Sequence, residues 1–141
     1  MANSLQPGDS APDFTLSGDG GSTISLKGLR GKKVVLYFYP KDDTSGCTLE
    51  AKNFHDSKAA FAKAGAEIIG VSPDNVASHD KFKKKYGLDL ALASDESKAM
   101  LEAYGVWVEK SMYGKKYMGV ERSTFLIGAD GNILEIGRAH V

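Results

Sequence analysis

Cys47 is the residue of this sequence whose side chain is best suited to nucleophilic chemistry, and none of the other 140 residues is a cysteine. A single cysteine cannot form an internal disulfide, and it excludes the common zinc sites built from several cysteines. The histidines, His55, His79 and His140, lie far apart and show no metal-ligand spacing. We therefore expect no metal and no cofactor. Cys47 is then either a small buried apolar residue or a nucleophile.

The residues around Cys47 favour the reactive role. The run 34–39 (VVLYFY) is apolar and β-rich, as in a strand buried on both faces, and Pro40 ends it because proline lacks a backbone N–H. A polar loop over 41–46 and a helix over 48–64 are predicted to follow. Cys47 would lie beyond the carboxyl end of a central strand, where α/β sheets form crevices. The unpaired N–H groups of a helix N-terminus favour a thiolate there.

The same loop supplies further candidate site residues. Thr44 carries a hydroxyl that can donate to a substrate oxygen or accept from a loop N–H. Gly46 lets the backbone approach a small ligand, and Pro40 can shield the thiolate from bulk water. A helix cap at Thr44 and a simple turn at Gly46 are the alternatives. Full ionisation of an ordinary thiol gains only about 2 kcal/mol at pH 7, so the site must also bind and polarise its substrate.

Strands and helices alternate through the rest of the chain. The other predicted elements are, in order, a β-hairpin of 12–16 with 22–26, a strand over 67–72, a helix over 75–86, a weak strand over 88–93, a helix over 96–104, a loop or hairpin over 106–119, and an antiparallel pair of 123–127 with 132–136. In the helix after Cys47 we expect core contacts from Leu49, Phe54, Ala60 and Phe61. This order predicts an α/β fold with a mixed central sheet, helices on both faces and an N-terminal β-hairpin. We expect one domain over 1–141.

Charge and hydropathy exclude several classes of function. Lysine and arginine together number 18, as do aspartate and glutamate, so we expect no attraction to nucleic acid or anionic membrane. The lysine-rich run 81–85 is interpreted as a solvated helix face. No apolar run approaches the roughly 18 residues of a membrane span, and the N-terminus lacks the features of a secretory signal. A cytoplasmic location is expected.

The stretch 39–51 (YPKDDTSGCTLEA) resembles the active-site loop of peroxiredoxins, whose Pro-x-x-x-Thr/Ser-x-x-Cys signature is met by Pro40, Thr44 and Cys47. The wider resemblance, from about Gly8 to Ile136, is to the peroxiredoxin Q group, also called bacterioferritin comigratory proteins. It is carried in order and spacing by the segments 8–16, 34–48, 68–74, 78–82 and 112–127. The resemblance implies a thioredoxin-like fold and a thiol-dependent peroxidase acting on hydrogen peroxide and organic hydroperoxides.

The resemblance also implies roles for individual residues. Cys47 would attack the peroxide and become a sulfenic acid. Arg122, before the strand 123–127, matches the family arginine that meets the cysteine and holds the peroxide oxygens. A guanidinium stays charged and donates several hydrogen bonds, which suits that role. Thr44, Gly46 and the loop N–H groups would help to bind the substrate and stabilise the leaving oxygen, and Glu50 is a candidate acceptor for Arg122 or for the helix start.

Two features depart from the family. Many members of the group carry a resolving cysteine five residues after the first, where this chain has Lys52. The sulfenic acid must then be reduced by an external thiol, such as thioredoxin, glutaredoxin or glutathione. The chain also stops at 137–141, where relatives usually continue. Those residues are a natural short end, a truncation or a cloning remnant, and the sequence leaves this open. We expect a monomer, with a dimer as the alternative.

Three other functions are open to a protein with this sequence. A thioredoxin-like reductase or isomerase normally needs a Cys-x-x-Cys pair, which is absent. A cysteine hydrolase needs a histidine base, and His55 lies eight residues from Cys47 on a different side of the predicted helix. A non-catalytic redox sensor or binding module would use the same oxidisable Cys47, and continued peroxide consumption with excess thiol would distinguish an enzyme from it.

Overall fold

The computed structural model describes residues 5–138. Its strands are β1 (Thr15–Gly18), β2 (Thr23–Ser25), β3 (Lys33–Phe38), β4 (Ala66–Ser72), β5 (Ala91–Ser94), β6 (Trp107–Met112), β7 (Lys115–Val120), β8 (Ser123–Ile127) and β9 (Ile133–Arg138). Its helices are α1 (Ser45–Lys63), α2 (Val76–Tyr86) and α3 (Ala99–Ala103). None of the helices in this range is both long and apolar enough to cross a membrane.

Seven strands form one mixed sheet in the order β2-β1-β5-β4-β3-β8-β9, and β6 pairs with β7 in a separate hairpin. The strand β3 runs parallel to β4 and antiparallel to β8. Every residue of β3 after Lys33 is buried, as an apolar run predicts for a strand covered on both faces. The predicted mixed central sheet is confirmed. The strand β3 lies inside this sheet, and the chain leaves it toward Pro40.

Helices cover both faces of the sheet, as predicted. One buried cluster joins Cys47 and Ala51 of α1 to Phe82 of α2, and the other contains Met100 and Leu101 of α3. The predicted N-terminal hairpin is also present at the sheet edge, but its strands begin later than expected, at Thr15 and Thr23. That the chain forms one domain over 1–141 stays a prediction.

Two details of α1 differ from the sequence-based expectation. The helix begins at Ser45, three residues earlier than predicted, so that Cys47 lies within its first turn. Leu49 and Ala60 are exposed, and the expectation that they contact the core is wrong. The buried stripe passes through Cys47, Ala51 and Phe54, at the spacing of three and four residues that defines one helix face. Leu49 lies off that stripe, as does Ala60.

The helix α2 begins and ends as its sequence predicts. The Asn75 side chain accepts a hydrogen bond from the Ser78 N–H at 2.8 Å, which caps the first turn. Gly87 adopts φ +63° just after the last turn, a left-handed conformation that glycine reaches without strain. His79 and Phe82, three residues apart, form the buried face of α2. The helix therefore directs a histidine toward the sheet.

Candidate active site

The loop that joins β3 to α1 positions Cys47. The Tyr39 N–H donates to the Val71 carbonyl at 3.0 Å, so pairing with β4 continues until Pro40, which is half-buried. The Asp42 N–H donates to Asp74 Oδ2 at 2.7 Å. Asp43 adopts φ +60°, an uncommon conformation for a residue with a side chain, and it turns the chain toward α1. Cys47 follows in the first helical turn and is only 2% exposed.

Arg122 reaches Cys47 because of the register between β3 and β8. Phe38, the last residue of β3, pairs with Ser123, the first residue of β8. Arg122 immediately precedes β8 and therefore lies beside the end of β3. Its Nη2 donates to Cys47 Sγ at 3.3 Å. The predicted meeting of Arg122 with Cys47 is thus present as a direct contact.

Glu50 accepts the second branch of the guanidinium, with 2.7 Å between Arg122 Nη1 and Glu50 Oε1. Burial lowers the pKa of Arg122, but the hydrogen bonds and charges of Cys47 and Glu50 outweigh it, and the net pKa lies above its usual value. Burial raises the pKa of Glu50 more than Arg122 lowers it. The site therefore holds a permanent cation against the sulfur, with its orientation set by Glu50.

The other loop candidates take positions around this pair. Thr44 occupies the N-cap position, but its hydroxyl donates to the Lys41 carbonyl at 3.0 Å and does not cap the helix. The helix-cap interpretation of this side chain is therefore wrong. A Cβ at Gly46 would stand 3.4 Å from Arg122 Nη2, so glycine leaves the side of the guanidinium open. Pro40, half-buried, stands between the end of β3 and this loop.

Lys52, where the resemblance predicts a resolving cysteine in many members of the group, is exposed and directed toward α2. Its ammonium nitrogen lies 5.0 Å from the ring centre of Tyr86, a cation–π distance. Tyr86 also contacts the loop, because its hydroxyl donates to Asp43 Oδ1 at 2.5 Å. These contacts connect the loop and α1 to the last turn of α2.

A shallow groove with apolar walls adjoins the cysteine. Its apolar lining comes from Leu49, Phe54 and Phe61, and one end is formed by Gly46, Glu50 and Arg122. Leu49 is 61% exposed and extends the groove into solvent. The groove therefore places apolar surface beside the guanidinium that contacts Cys47, an arrangement that suits a small polar group attached to an organic one.

A buried polar cluster beneath the loop was missed by sequence reasoning. Asp42, which is remote in sequence from Asp74 and His79, joins them in a cluster whose possible metal-binding atoms lie within 4.8 Å of one another. The atoms are instead engaged with protein groups: His79 Nδ1 lies 2.7 Å from Asp42 Oδ2, and Nε2 lies 3.0 Å from the Ala93 carbonyl. We interpret the cluster as a hydrogen-bonded ion pair. The available signal was the spacing of His79 and Phe82 on one face of α2.

Comparison with known proteins gives the same family throughout. A profile of the AhpC/TSA family matches residues 7–136. The chain is 50% identical over 131 residues to peroxiredoxin Bcp of Bacillus subtilis, a match that covers 93% of this chain and 83% of the relative. It is 42% identical over 131 residues to peroxiredoxin Bcp of Escherichia coli, which covers 93% of this chain and 84% of that protein.

Solved structures agree with the sequence relatives. The bacterioferritin comigratory protein of Xanthomonas campestris, studied for its alkyl peroxide reduction activity, superimposes with a TM-score of 0.86 at 44% identity, covering 91% of this chain and 82% of that one. A mutant of PrxQ from Xylella fastidiosa gives a TM-score of 0.92 at 36% identity and covers 99% of this chain and 89% of its own. The fold is therefore the thioredoxin-like fold of these proteins, as expected.

Proposed function

Because the chain belongs to the AhpC/TSA family and is a peroxiredoxin, a thiol-dependent peroxidase, we propose that Cys47 is its nucleophile and that Arg122, Thr44, Gly46 and Pro40 complete its site. The observation that carries this proposal is the 3.3 Å contact between Arg122 Nη2 and the buried Cys47 Sγ. A permanent cation in contact with a sulfur favours the thiolate, which is the reactive form.

In the peroxide step, the Cys47 thiolate attacks one oxygen of the hydroperoxide. The sulfur–oxygen bond forms as the oxygen–oxygen bond breaks, and the outer oxygen departs as hydroxide or alkoxide and takes up a proton. Arg122 lies where negative charge develops, and preorganised donors of this kind lower barriers effectively. The Thr44 hydroxyl donates a hydrogen bond to the Lys41 backbone carbonyl, so its oxygen lone pairs are free to accept a hydrogen bond from the hydroperoxide O–H. The product on Cys47 is a sulfenic acid.

Each remaining site residue has a role that its position supports. Gly46 leaves space beside the guanidinium for the substrate oxygens. Pro40 ends the strand and borders the loop, where it limits access of bulk water. The groove that includes Leu49 and Phe54 lies at the Arg122 end of the site and can hold the organic part of a hydroperoxide. Hydrogen peroxide requires only the polar end.

Regeneration needs a thiol from another molecule, because Cys47 is the only cysteine. That thiol attacks the sulfenic sulfur, water leaves, and a mixed disulfide forms. A second thiol then attacks this disulfide and releases the Cys47 thiolate. Thioredoxin, glutaredoxin and glutathione are the reductants we propose to compare. We also propose a cytoplasmic location, where such thiols are kept reduced, and a monomer, with a dimer as the alternative.

The proposal is tested by peroxide consumption with excess thiol. The wild-type chain should consume many equivalents of peroxide, whereas Cys47→Ser should consume none while its circular dichroism spectrum is unchanged. Leu49→Ala is a matched control, since it alters the exposed groove and leaves the reacting atoms intact: its rate with hydrogen peroxide should stay near wild type. Sustained turnover by Cys47→Ser would contradict the assignment.

A further inference from the structure

We propose that His79 is a positioning residue for the peroxidase reaction, acting in its doubly protonated form through Asp42 to hold the loop that bears Thr44 and leads to Cys47. This inference rests on the proposed function of Cys47. His79 has 0% exposure and Asp42 is 7% exposed, so both side chains are shielded from solvent. Neither residue contacts the reacting atoms, and both act through the backbone that carries those atoms.

The hydrogen bonds of His79 define its charge. Nδ1 faces the Asp42 carboxylate at 2.7 Å, and Nε2 faces the Ala93 carbonyl oxygen at 3.0 Å. With Asp42 ionised, both partners are acceptors, and the two bonds form together only when both ring nitrogens carry protons. A neutral imidazole would leave one lone pair directed at an oxygen inside the protein, where an unsatisfied polar contact is costly. The geometry therefore favours the imidazolium.

Asp42 links the charge of His79 to the position of the loop through its hydrogen bonds. Its Oδ2 accepts from His79 and from the Ser78 hydroxyl at 2.8 Å, and its Oδ1 accepts from the Tyr39 hydroxyl. Its backbone N–H donates to Asp74, as described above. Cys47 lies five positions after this anchor in the chain, and Thr44 lies two positions after it. The position of Asp42 thus decides how the loop presents both groups.

The charged and titratable groups around His79 come from several elements. Asp42 precedes α1, Asp74 follows β4, and the Tyr39 hydroxyl, at the end of β3, lies 3.4 Å from Nδ1. Asp19, which also packs against α2, is bound to Lys83 and to the Leu92 N–H. The remaining groups are Asp95, which accepts from the Leu101 N–H, and the lysines and Asp80 on the exposed side of α2 itself. The cation therefore faces two carboxylates.

This arrangement has a definite pH dependence. Burial lowers the pKa of His79, but the hydrogen bond and charge of Asp42, the Ala93 carbonyl and Asp74 together raise it above its ordinary value of 6.5. A raised pKa means that the ion pair is intact at and below the unfolded value and is lost as pH rises through the folded one. A thiol does not become less nucleophilic as pH rises, because its thiolate is the reactive form. A fall in the rate of the peroxide step at alkaline pH, with the midpoint of the His79 titration, would therefore indicate that deprotonation of His79 slows the reaction.

The test compares the peroxide step with the titration of His79 in the wild-type protein. The rate constant for hydrogen peroxide is measured by competition with a haem peroxidase across neutral and alkaline pH, and His79 is followed by NMR. We expect the rate per Cys47 thiolate to fall with the same midpoint as the His79 titration. A rate that stays level through that midpoint would overturn the proposal, whatever the outcome for Cys47→Ser.

Variants separate positioning from simple loss of structure. In His79→Gln we expect the rate per thiolate to fall roughly 10- to 100-fold at neutral pH, because the loop shifts, and the alkaline decline to disappear. In Asp42→Asn the ion pair is absent at every pH, so we expect a similar fall in the rate per thiolate and no alkaline decline. His55→Gln is the control and should match wild type. A full rate with an unchanged pH profile in His79→Gln would contradict the inference.

Discussion

At the scale of single residues, the proposed site contains a guanidinium held between two acceptors. Arg122 donates to Cys47 Sγ through one nitrogen and to Glu50 through the other. A lysine would offer a point charge without this fork, so the two contacts could not be made together in one plane. The contact with Glu50 therefore fixes the orientation of the guanidinium that faces Cys47 Sγ.

Replacement of Arg122 should change both ionisation and chemistry. In Arg122→Ala the thiolate fraction of Cys47 at neutral pH should fall, as measured by the rate of alkylation. The peroxide step should also slow at pH values where Cys47 is fully ionised, by about 10²- to 10³-fold, because a preorganised donor to the departing oxygen is lost.

The matched control for this prediction is Arg138→Ala. Arg138 is paired with Glu121 at 2.7 Å on the surface, with a similar side-chain exposure, and does not belong to the proposed site. Its removal should leave the thiolate fraction and the peroxide rate unchanged. Equal losses in the two variants would mean that Arg122 acts through general surface charge, and the assigned contact would then be irrelevant to rate.

At the scale of elements, the packing of β3 against β4 beneath α1 depends on a close contact between Tyr37 and Gly70. Tyr37 pairs with Gly70, and its ring stacks on Phe54 of α1 with 4.5 Å between centroids. A Cβ at Gly70 would lie 2.6 Å from Tyr37 Cζ and 2.9 Å from Leu92 Cδ2. Burial raises the pKa of Tyr37, and its hydroxyl has no hydrogen-bond partner among residues 5–138.

Two substitutions at this contact should have opposite effects on stability. Gly70→Ala should lower the free energy of unfolding by about 1–3 kcal/mol, because the added methyl group overpacks a buried site. Tyr37→Phe should raise it by about 1 kcal/mol, because it removes a buried hydroxyl without a partner. Urea denaturation measures both. Gly137→Ala, where the nearest atom to an added Cβ is 3.9 Å away, serves as control and should change little.

At the scale of the whole molecule, one buried cysteine must serve every step of the catalytic cycle. A second thiol in the chain would trap the sulfenic acid as a disulfide, but Cys47 is the only cysteine, and Lys52 stands where the sequence resemblance leads one to expect a second. The Lys52 ammonium packs over Tyr86 on the neighbouring helix, and α1 is continuous through this region. The lifetime of the sulfenic acid therefore depends on thiols from solution.

Peroxide in excess without a reducing thiol should over-oxidise the protein. Intact mass spectrometry should show the addition of two or three oxygens, the sulfinic and sulfonic acids of Cys47. With a small thiol present, the mass should correspond to a mixed disulfide. Cys47→Ser should show neither change. Resistance to over-oxidation, with disulfide-linked dimers as the product, would mean that Cys47 of a second copy resolves the sulfenic acid.

Much of the local architecture could be predicted because its physical causes lie close together in the sequence. The apolar run 34–39 specifies a buried central strand, Pro40 ends its hydrogen bonding, and Asn75 with Gly87 bounds α2. The strand predicted over 123–127 has those limits in the structure. Turn residues, caps and side-chain periodicity act over a few residues, so they can be recognised without knowledge of the fold.

The contacts that make a site were decided by the tertiary structure. Arg122 lies 75 residues from Cys47, and only the pairing of Phe38 with Ser123 brings them together; the sequence reached this pair through family resemblance alone. His79 meets Asp42 across 37 residues by the packing of α2 against the sheet, and composition gave no sign of it. Register and helix packing depend on the whole buried surface, so a local pattern determines which residues face inward, and the assembled fold determines which of them meet.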